Sequence, residues 1–396
     1  MTINSARLRK AMLRHWKPMS AYAITFLILA GVLVWRLGSL LPGYSRHEVA
    51  TYQASENLRT IWAHPFNAPY HILVRVLDFA FPHNYIAVHL ASVFVGWLTL
   101  LLFCILVYRW YGTRTAIIST LIFGTSSWFL HTSRLGSPTV CFLAVVALVG
   151  CGVWLREHKA GLAVILGLFL ATALLYTPGM AWFIAIGLLW QWKYVDKAFK
   201  QHLGFVTLGA VVFIAGLLPL GWKMYQTPSL IKTWLCLPAN WNQPLHFIHN
   251  LIDIPLAIFV RGQTNPETWL GRMPLLSVFS IIAFILGSYV FYRQFKLARA
   301  KLFVGLAILG SVVIALSDGK IPLTALVPFV YVIVGVGASY LMGLWLDVFP
   351  RNPIARALGM SLFALVIGLA CIYNMRSYFV AWPQASVTRA VFNLRP

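Results

Sequence analysis

The sequence contains few carboxylates: nine Asp and Glu residues occur among 396, against 31 Lys and Arg. Charged residues make up only 10% of the chain, whereas hydrophobic residues make up 60%. Soluble domains are about 25% charged, so this composition excludes an ordinary soluble protein. The Lys and Arg are scattered between apolar runs, so the net charge of +22 indicates membrane-flanking positive charge rather than nucleic-acid binding.

Several motifs of common enzyme classes are absent. The sequence has no GxxxxGK phosphate loop and no HExxH zinc motif. Four of the five cysteines lie in apolar runs and Cys236 stands alone in a polar one, so neither a disulfide framework nor a zinc spacing is present. The basic segment 7–17 precedes an apolar run without a small-residue cleavage site, which indicates a retained membrane anchor.

The apolar runs predict an all-α, polytopic integral membrane protein with about eleven transmembrane helices. The segments that alternate with them on one side are short and basic, which predicts a cytoplasmic N-terminus and an extracytoplasmic C-terminus in the plasma membrane. The longest polar segments, about 42–83 and 224–273, then share the outer face. We expect a single transmembrane domain over 1–396 without a separate soluble domain. The predicted spans are about 21–41, 84–108, 115–132, 138–155, 160–176, 178–192, 203–223, 274–292, 302–317, 321–345 and 355–374.

One boundary between spans remains open. Residues 177–179 read Thr-Pro-Gly, which fits either a tight turn between two spans or a kink within one long helix.

The first outer segment contains three of the nine carboxylates, Glu48, Glu56 and Asp78. Ser45 and Glu48 have the spacing of a capping box, which would make Glu48 a structural partner of the helix start. A helix from there predicts one polar face with Glu48, Tyr52 and Glu56, and a second short helix follows Pro69, with Arg75 and Asp78 close enough to pair. We expect both helices to lie at the membrane surface as interfacial amphipathic helices.

The second outer segment contains three tryptophans, Trp234, Trp241 and Trp269. Such residues are typical of the interfacial belt, and the alternative is a sugar-stacking or lid role. We interpret the three other outer acids, Asp253, Glu267 and Asp318, as solvated loop residues.

After these exclusions, the residues that could carry a reaction are one outer carboxylate, Glu48, and a set of outer cations. Glu48 could act as a general base for a hydroxyl or amine, with His47 beside it, and the cations could hold a phosphate leaving group. Arg134 follows the third span directly and is either an interface anchor or a phosphate clamp. The candidate substrate-binding residues are Arg134, Tyr52, Glu56, Arg75, Arg261, Arg272 and Lys320.

The order of these pieces resembles the GT-C glycosyltransferases, in particular the branch that uses polyprenyl-phosphate sugars and includes protein mannosyltransferases and the lipid A aminoarabinose transferase. The matching stretches are GYSRHEVATYQASENL after the first span, HPFNAPYHIL, the Ala-Ser-x-x-x-Gly run of the second span, and HTSRLGSP after the third. The resemblance covers roughly residues 20–190. It implies transfer of a sugar from a polyprenyl-phosphate donor to a lipid, glycan or protein acceptor on the outer face.

Two departures from the family pattern bear on activity. The family has an Asp-Glu pair at the end of the first span, and this sequence has His47-Glu48. An acid often follows the Ser-Arg of the next outer loop, and residues 135–139 contain none. We therefore expect no cofactor and no bound divalent metal. The alternatives to an enzyme are a non-catalytic GT-C-like envelope assembly protein and a lipid or solute transporter.

Overall fold

The protein, analysed as a computed structural model, is described over residues 5–81, 84–158, 161–238 and 244–394. Residues 82–83 and 239–243 of the two outer segments, including Trp241, lie outside the described residues. Within the described residues, six helical segments are long and apolar enough to cross a membrane, and shorter apolar helices accompany them. The described chain contains no strand beyond one isolated bridge. The prediction of an all-α, polytopic membrane protein is confirmed.

Most of the helices follow one another with short connections, and each predicted span falls on a helix. Two short 3₁₀ helices, Pro138–Ala144 and Leu323–Ala325, and a π-helical turn, Ser377–Ala381, interrupt the series. The α-helices are α1 (Ser5–Val34), α2 (Arg46–Ser55), α3 (Leu58–Ala63), α4 (Ala68–Asp78), α5 (Ile86–Gly124), α6 (Ser127–Arg134), α7 (Val145–His158), α8 (Gly161–Leu175), α9 (Met180–Gln201), α10 (Leu203–Gln226), α11 (Ser229–Trp234), α12 (Pro244–Phe259), α13 (Val278–Arg293), α14 (Ala298–Leu316), α15 (Val327–Val348), α16 (Pro353–Arg376), α17 (Trp382–Gln384) and α18 (Ser386–Val391).

Two glycines with positive φ reverse the chain between consecutive spans. Gly112 interrupts α5 with φ 84°. The rings of Phe103 and Phe123 lie 4.7 Å apart, although twenty residues of straight helix would separate them by about 30 Å. The two halves of α5 therefore form an antiparallel hairpin, as two spans require. Gly179, also with φ 84°, lies between α8 and α9, so the Thr-Pro-Gly sequence is a tight turn.

The two outer segments and the C-terminal tail meet at one end of the bundle, which we call the outer end. The backbone of Tyr44 pairs with that of Leu394, with Tyr44 N donating to Leu394 O at 2.9 Å. The Ser45 hydroxyl donates to Glu267 of the second outer segment. The sequence predicted this grouping, and the direction of the bundle in the cell stays a prediction.

Charged residues of three helices meet at the opposite end, which we call the basic end. Arg109 forms an ion pair with Glu157 at 2.8 Å, and the Arg299 guanidinium donates to Trp110 O. These contacts join segments from α5, α7 and α14 that are far apart in the sequence.

The first outer segment forms three helices where two were predicted. α2 ends at Ser55 because Asn57 adopts an extended conformation and caps α3, with Asn57 Oδ1 accepting from Thr60 N at 2.8 Å. Glu56 is therefore outside α2, which corrects the predicted polar face. α4 exposes Ile72 and Val76, as expected of a helix at the membrane interface.

Candidate functional site

Glu48 lies at the start of α2 and is 1% exposed. Ser45 N donates to Glu48 Oε2 at 3.0 Å, and Glu48 N donates to Ser45 Oγ at 3.2 Å, which completes the capping box that the sequence predicted. Glu48 Oε1 accepts a second backbone bond from Gly136 N at 3.1 Å. The carboxylate therefore joins α2 to the turn after α6, which a capping box alone does not require.

His89 lies on α5 beside this carboxylate, and no sequence motif marks it. Its Nε2 is 3.4 Å from Glu48 Oε1, and its Nδ1 is 2.7 Å from Arg134 O. A carbonyl oxygen only accepts, so Nδ1 carries a proton and donates to it. Nε2 then faces Glu48 Oε1. This contact is an ion pair when Nε2 carries a proton as well.

Arg134 is buried at the C-terminus of α6, where the sequence suggested a clamp on the outer rim. The guanidinium donates to Val32 O at 2.9 Å and to Trp35 O at 2.7 Å, the carbonyls at the end of α1. It also lies over the ring of Phe379 at 4.6 Å. Its Nε is buried and has no hydrogen-bond partner. Arg134 is 3% exposed, and among the described residues no carboxylate pairs with it, so its charge is buried without an ion pair.

Glu48, His89 and Arg134 line one small cavity at the outer end, with a volume of about 30 Å³. The end of α1, the first outer segment and the C-terminal region around α17 enclose it. Tyr378 and Trp382 come from this C-terminal region, which the sequence did not connect with the site. The lining residues are Leu37, Gly38, Leu40, Leu41, Gly43, Tyr44, Glu48, His89, Arg134, Leu135, Tyr378 and Trp382.

A second carboxylate lies next to the cavity. Glu267 is buried, which corrects its interpretation as a solvated loop residue. The Ser45 hydroxyl donates to Glu267 Oε1 at 2.5 Å, and the exposed His47 places its Nε2 3.7 Å from Glu267 Oε2. Ser45 therefore connects the two carboxylates, Glu48 through its backbone N–H and Glu267 through its hydroxyl. His47 is the exposed imidazole at the edge of this arrangement.

Three of the predicted substrate-binding residues, Tyr52, Glu56 and Arg75, do not line the Glu48 cavity. Arg75 pairs with Asp78 at 2.9 Å, as the spacing predicted, and Tyr52 Oη donates to Asp78 Oδ1 at 2.9 Å. Burial and this bond to Asp78 raise the pKa of Tyr52 to about 12. Glu56 is exposed at the end of α2. The ring of Tyr85 lies 4.4 Å from that of Tyr52 and 5.0 Å from that of Tyr44, a cavity-lining residue, and both pairs of rings are tilted.

The remaining predicted cations belong to a separate part of the outer end. Arg261 and Arg272 line a cavity of about 360 Å³ together with Asp253, which lies 3.7 Å from Arg261. This cavity shares no lining residue with that of Glu48. Lys320 is exposed and donates to Leu237 O. The structure therefore does not bring Arg261, Arg272 and Lys320 into the cavity of Arg134.

Two other outer residues differ from their sequence interpretation. Trp269 is buried against Trp128, with ring centroids 4.7 Å apart, so it is part of the core rather than the interfacial belt. Asp318, interpreted as a solvated loop acid, has a side-chain partner, because His246 Nε2 lies 2.6 Å from its Oδ1. This hydrogen bond lowers the pKa of Asp318, which is exposed as predicted.

The donor set around Glu48 does not fit a metal ion. Hard cations require several oxygen ligands, and Glu48 uses both oxygens for backbone N–H groups. Within the part of the chain that the structure describes, no group of three or more His, Cys, Asp or Glu side chains could hold a metal.

Comparison with solved structures shows which fold the chain has, whereas comparison with known sequences finds no match. No protein-family model and no curated protein sequence match the chain. Solved structures match, among them ArnT from Cupriavidus metallidurans in the apo state, with a TM-score of 0.55 and 13% identity over 94% of this chain and 77% of that one. The chain has the GT-C fold of ArnT. The structure of ArnT bound to undecaprenyl phosphate matches with a TM-score of 0.51 and 14% identity, over 93% of this chain and 76% of that one.

Proposed function

We propose that this protein is a membrane glycosyltransferase that transfers a sugar from a polyprenyl-phosphate-linked donor to an acceptor at the outer face of the plasma membrane. The GT-C fold supports this function, as does the neighbour ArnT, which binds undecaprenyl phosphate. The observation that carries the proposal is the buried guanidinium of Arg134, which opens on the same cavity as Glu48 and has no carboxylate partner among the described residues.

Arg134 is proposed to bind the phosphate of the donor. A buried cation without a counter-charge is costly, and a phosphate would supply the missing charge. Two of its N–H groups hold α1, and the unpartnered Nε is available. As the glycosidic bond breaks, the leaving phosphate gains negative charge, so a fixed guanidinium stabilises the transition state more than the ground state. Arg261, Arg272 and Lys320 are proposed to attract the anionic donor to the outer end.

His47 is proposed as the proton acceptor. The acceptor hydroxyl or amine attacks the anomeric carbon, the bond from this carbon to the phosphate oxygen breaks, and polyprenyl phosphate leaves. The proton released by the nucleophile passes to the imidazole of His47, which is exposed and adjacent to Glu267. Glu48 is the second candidate base, but its oxygens already accept two backbone N–H groups. In this scheme Glu48 positions Gly136 and His89, and its carboxylate adds negative charge to the cavity.

One observation favours a non-catalytic envelope protein as the second candidate. The cavity of about 30 Å³ has room for roughly one water molecule. A sugar therefore requires the outer end to open, and the leading Asp of the family pattern is replaced by His47. A protein that only binds the lipid would keep Arg134 and would not need a proton acceptor.

The deciding experiment combines two measurements on the purified protein. Mass spectrometry of co-purified lipids is expected to detect polyprenyl phosphate. Incubation with a radiolabelled polyprenyl-phosphate sugar and an extract of envelope glycolipids is expected to release free polyprenyl phosphate. Bound lipid without release in any acceptor extract would support the non-catalytic candidate, and absence of both would contradict the proposal.

A further inference from the structure

A third cavity lies at the outer end, between α6, α13, α16 and the residues that precede α13. Its volume is about 240 Å³, against about 30 Å³ for the Glu48 cavity, and the two cavities share no lining residue. None of the described residues that line it is Asp, Glu, Lys or Arg. The cavity therefore has room for a group much larger than a water molecule, and its walls offer a phosphate no permanent cation.

Two buried polar side chains in the wall of this cavity lack hydrogen-bond partners. Asn374 is 7% exposed, and within the described chain its side-chain amide forms no hydrogen bond, although its backbone oxygen accepts from Ser127 Oγ at 2.9 Å. His131 is 4% exposed, and its Nδ1 is buried without a partner. Polar groups left unpaired in the interior are costly, so these side chains indicate that the cavity holds a polar occupant.

The cavity opens between α13 and α16. Its most exposed lining residues are Val278, at the start of α13, and Tyr373, near the end of α16, with exposures of 76% and 53%. One helical turn further from the outer end, Ile282 on α13 and Leu369 on α16 are also exposed. Exposed apolar surface of this kind marks contact with a membrane, so an occupant with an attached lipid chain can enter from the bilayer.

One layer of aromatic rings separates this cavity from the Glu48 cavity. The His131 ring centroid lies 4.5 Å from that of Trp382 and 4.8 Å from that of Tyr378. Trp382 and Tyr378 line the Glu48 cavity, whereas His131 lines the other one. The occupant would therefore lie directly beside the proposed donor site, where an acceptor has to bind.

We propose that this cavity binds the uncharged sugar head group of a neutral glycolipid, the acceptor of the transfer reaction, with the lipid chain leaving between α13 and α16. The acceptor role rests on the proposed function, whereas the sugar binding does not. A sugar hydroxyl both donates and accepts, so neighbouring hydroxyls can satisfy the Asn374 amide and the His131 ring nitrogen. Tyr373 offers the same group an apolar ring face and a hydroxyl at the mouth. A phospholipid would have to bring a charged phosphate into walls without Lys or Arg, which is costly.

The binding test uses the protein in nanodiscs and octyl β-D-glucoside with a diazirine in its alkyl chain. After irradiation, mass spectrometry of peptides is expected to find the label on the two mouth helices, α13 and α16. Excess unlabelled octyl β-D-glucoside should compete, whereas octyl phosphate, which has the same chain and an anionic head group, should not. Label spread over all the lipid-facing helices, or equal competition by octyl phosphate, would overturn the proposal, because the alkyl chain alone would explain the binding.

Two variants remove the polar groups of the cavity. Asn374→Leu replaces the amide at nearly constant volume, and His131→Phe removes the ring nitrogens but keeps an aromatic ring. Each should reduce the labelling by about tenfold, the effect of losing one or two hydrogen bonds. Asn250→Leu is the matched control, because Asn250 lines the separate cavity of Arg261 and its replacement should not affect the labelling. Melting temperatures identify a variant that fails to fold, and the other variant then decides. Unchanged labelling in a folded variant would mean that the cavity holds water only, and the proposal would fail.

A transfer assay separates this proposal from the proposed function. Octyl β-D-glucoside should compete with the envelope glycolipid acceptor, and Asn374→Leu should raise the KM for that acceptor more than it lowers kcat. Specific labelling without any transfer would contradict the proposed function and confirm the sugar site. Transfer that neither octyl β-D-glucoside nor Asn374→Leu affects would overturn the acceptor assignment while the proposed function stands.

Discussion

The Ser45 hydroxyl lies 2.5 Å from Glu267 Oε1, across 222 positions of the sequence. Glu267 is buried, and Nε2 of the exposed His47 lies 3.7 Å from its Oε2. The hydroxyl has one proton, which it donates to Glu267 while its oxygen accepts from Glu48 N. Ser45 therefore caps α2 and connects the two outer segments with a single side chain.

Ser45→Ala is expected to destabilise the protein more than the loss of a helix cap. Removal of a cap costs about 1 kcal/mol, and leaving a buried carboxylate without its donor adds about 1–3 kcal/mol. Asn57→Ala is the matched control because Asn57 caps α3 at the surface without a buried partner. Thermal unfolding in detergent should show a clearly larger decrease for Ser45→Ala. Equal decreases would mean that Glu267 does not depend on the Ser45 hydroxyl.

The structure changes how a Glu48 substitution is interpreted. If Glu48 took part only in the capping box, Glu48→Gln would keep the helix start while removing a possible base. Both oxygens accept backbone N–H groups, from Ser45 and Gly136, and a glutamine amide offers one oxygen and one donor group. Glu48→Gln therefore places an N–H against an N–H and loses about 1–3 kcal/mol of stability, so that lost activity alone does not identify a base.

His47→Gln tests the proton acceptor without this complication. The side chain is 79% exposed, so its replacement should leave the melting temperature unchanged. If His47 accepts the proton of the nucleophile, transfer from the polyprenyl-phosphate donor should slow by at least about 100-fold. His64→Gln is the control, an exposed histidine at the end of α3. Turnover equal to that of the control would exclude His47 as the base.

The local features of the first outer segment could be predicted from the sequence, whereas the long-range contacts of the site could not. Ser45 and Glu48 are three residues apart, and the pairing of Arg75 with Asp78 depends on one helical turn. His89 lies within an apolar span without any motif. Glu267 approaches from the second outer segment, where exposure is the usual state of a loop acid.

Arg134 shows the limit of an argument from span order. Arg134 follows the third span and Glu48 follows the first, and both line one cavity. Its burial depends on the C-terminal region, where Tyr378 and Phe379 cover the guanidinium. Those residues are more than 240 positions away, and no sequence pattern connects them.

The burial of His71 predicts that the protein loses stability in acid. It is buried on α4, with Nδ1 2.8 Å from Ser55 Oγ, and burial lowers its pKa from 6.5 to about 4. The unfolded chain therefore takes up the proton first as the pH falls. The contribution of neutral His71 is complete above pH 6.5 and is lost between pH 6.5 and 4, by about 3 kcal/mol at most.

The measurement is unfolding of the wild-type protein and His71→Gln at pH 7 and pH 5. The variant should be less sensitive to the change, because glutamine can bond to Ser55 and does not titrate. His64→Gln, which removes an exposed histidine, should keep the wild-type dependence. Identical pH dependence of all three proteins would show that another group controls acid stability.

Chelation of divalent metals is expected to leave transfer unchanged. The donor set at Glu48 lacks the several free oxygens that a hard cation requires. Transfer assays with and without EDTA, followed by addition of magnesium or manganese, test this directly. Inhibition reversed by either metal would require a site formed when the outer end opens.

Arg134→Lys keeps the positive charge but removes the planar guanidinium. The guanidinium donates to Val32 O and Trp35 O and lies over the ring of Phe379. A lysine ammonium is a compact point charge that lacks the planar fork, so it cannot hold both carbonyls and also face a phosphate. We expect the free energy of unfolding to fall by about 1–3 kcal/mol. The amount of polyprenyl phosphate that co-purifies should fall by more than this loss of stability explains. Arg75→Lys is the control, a partly exposed arginine whose ion pair with Asp78 contributes at most about 1 kcal/mol. If Arg134→Lys melts lower but retains the lipid, Arg134 only fixes the end of α1 and the donor phosphate binds elsewhere, with Arg261 and Arg272 as the next residues to replace.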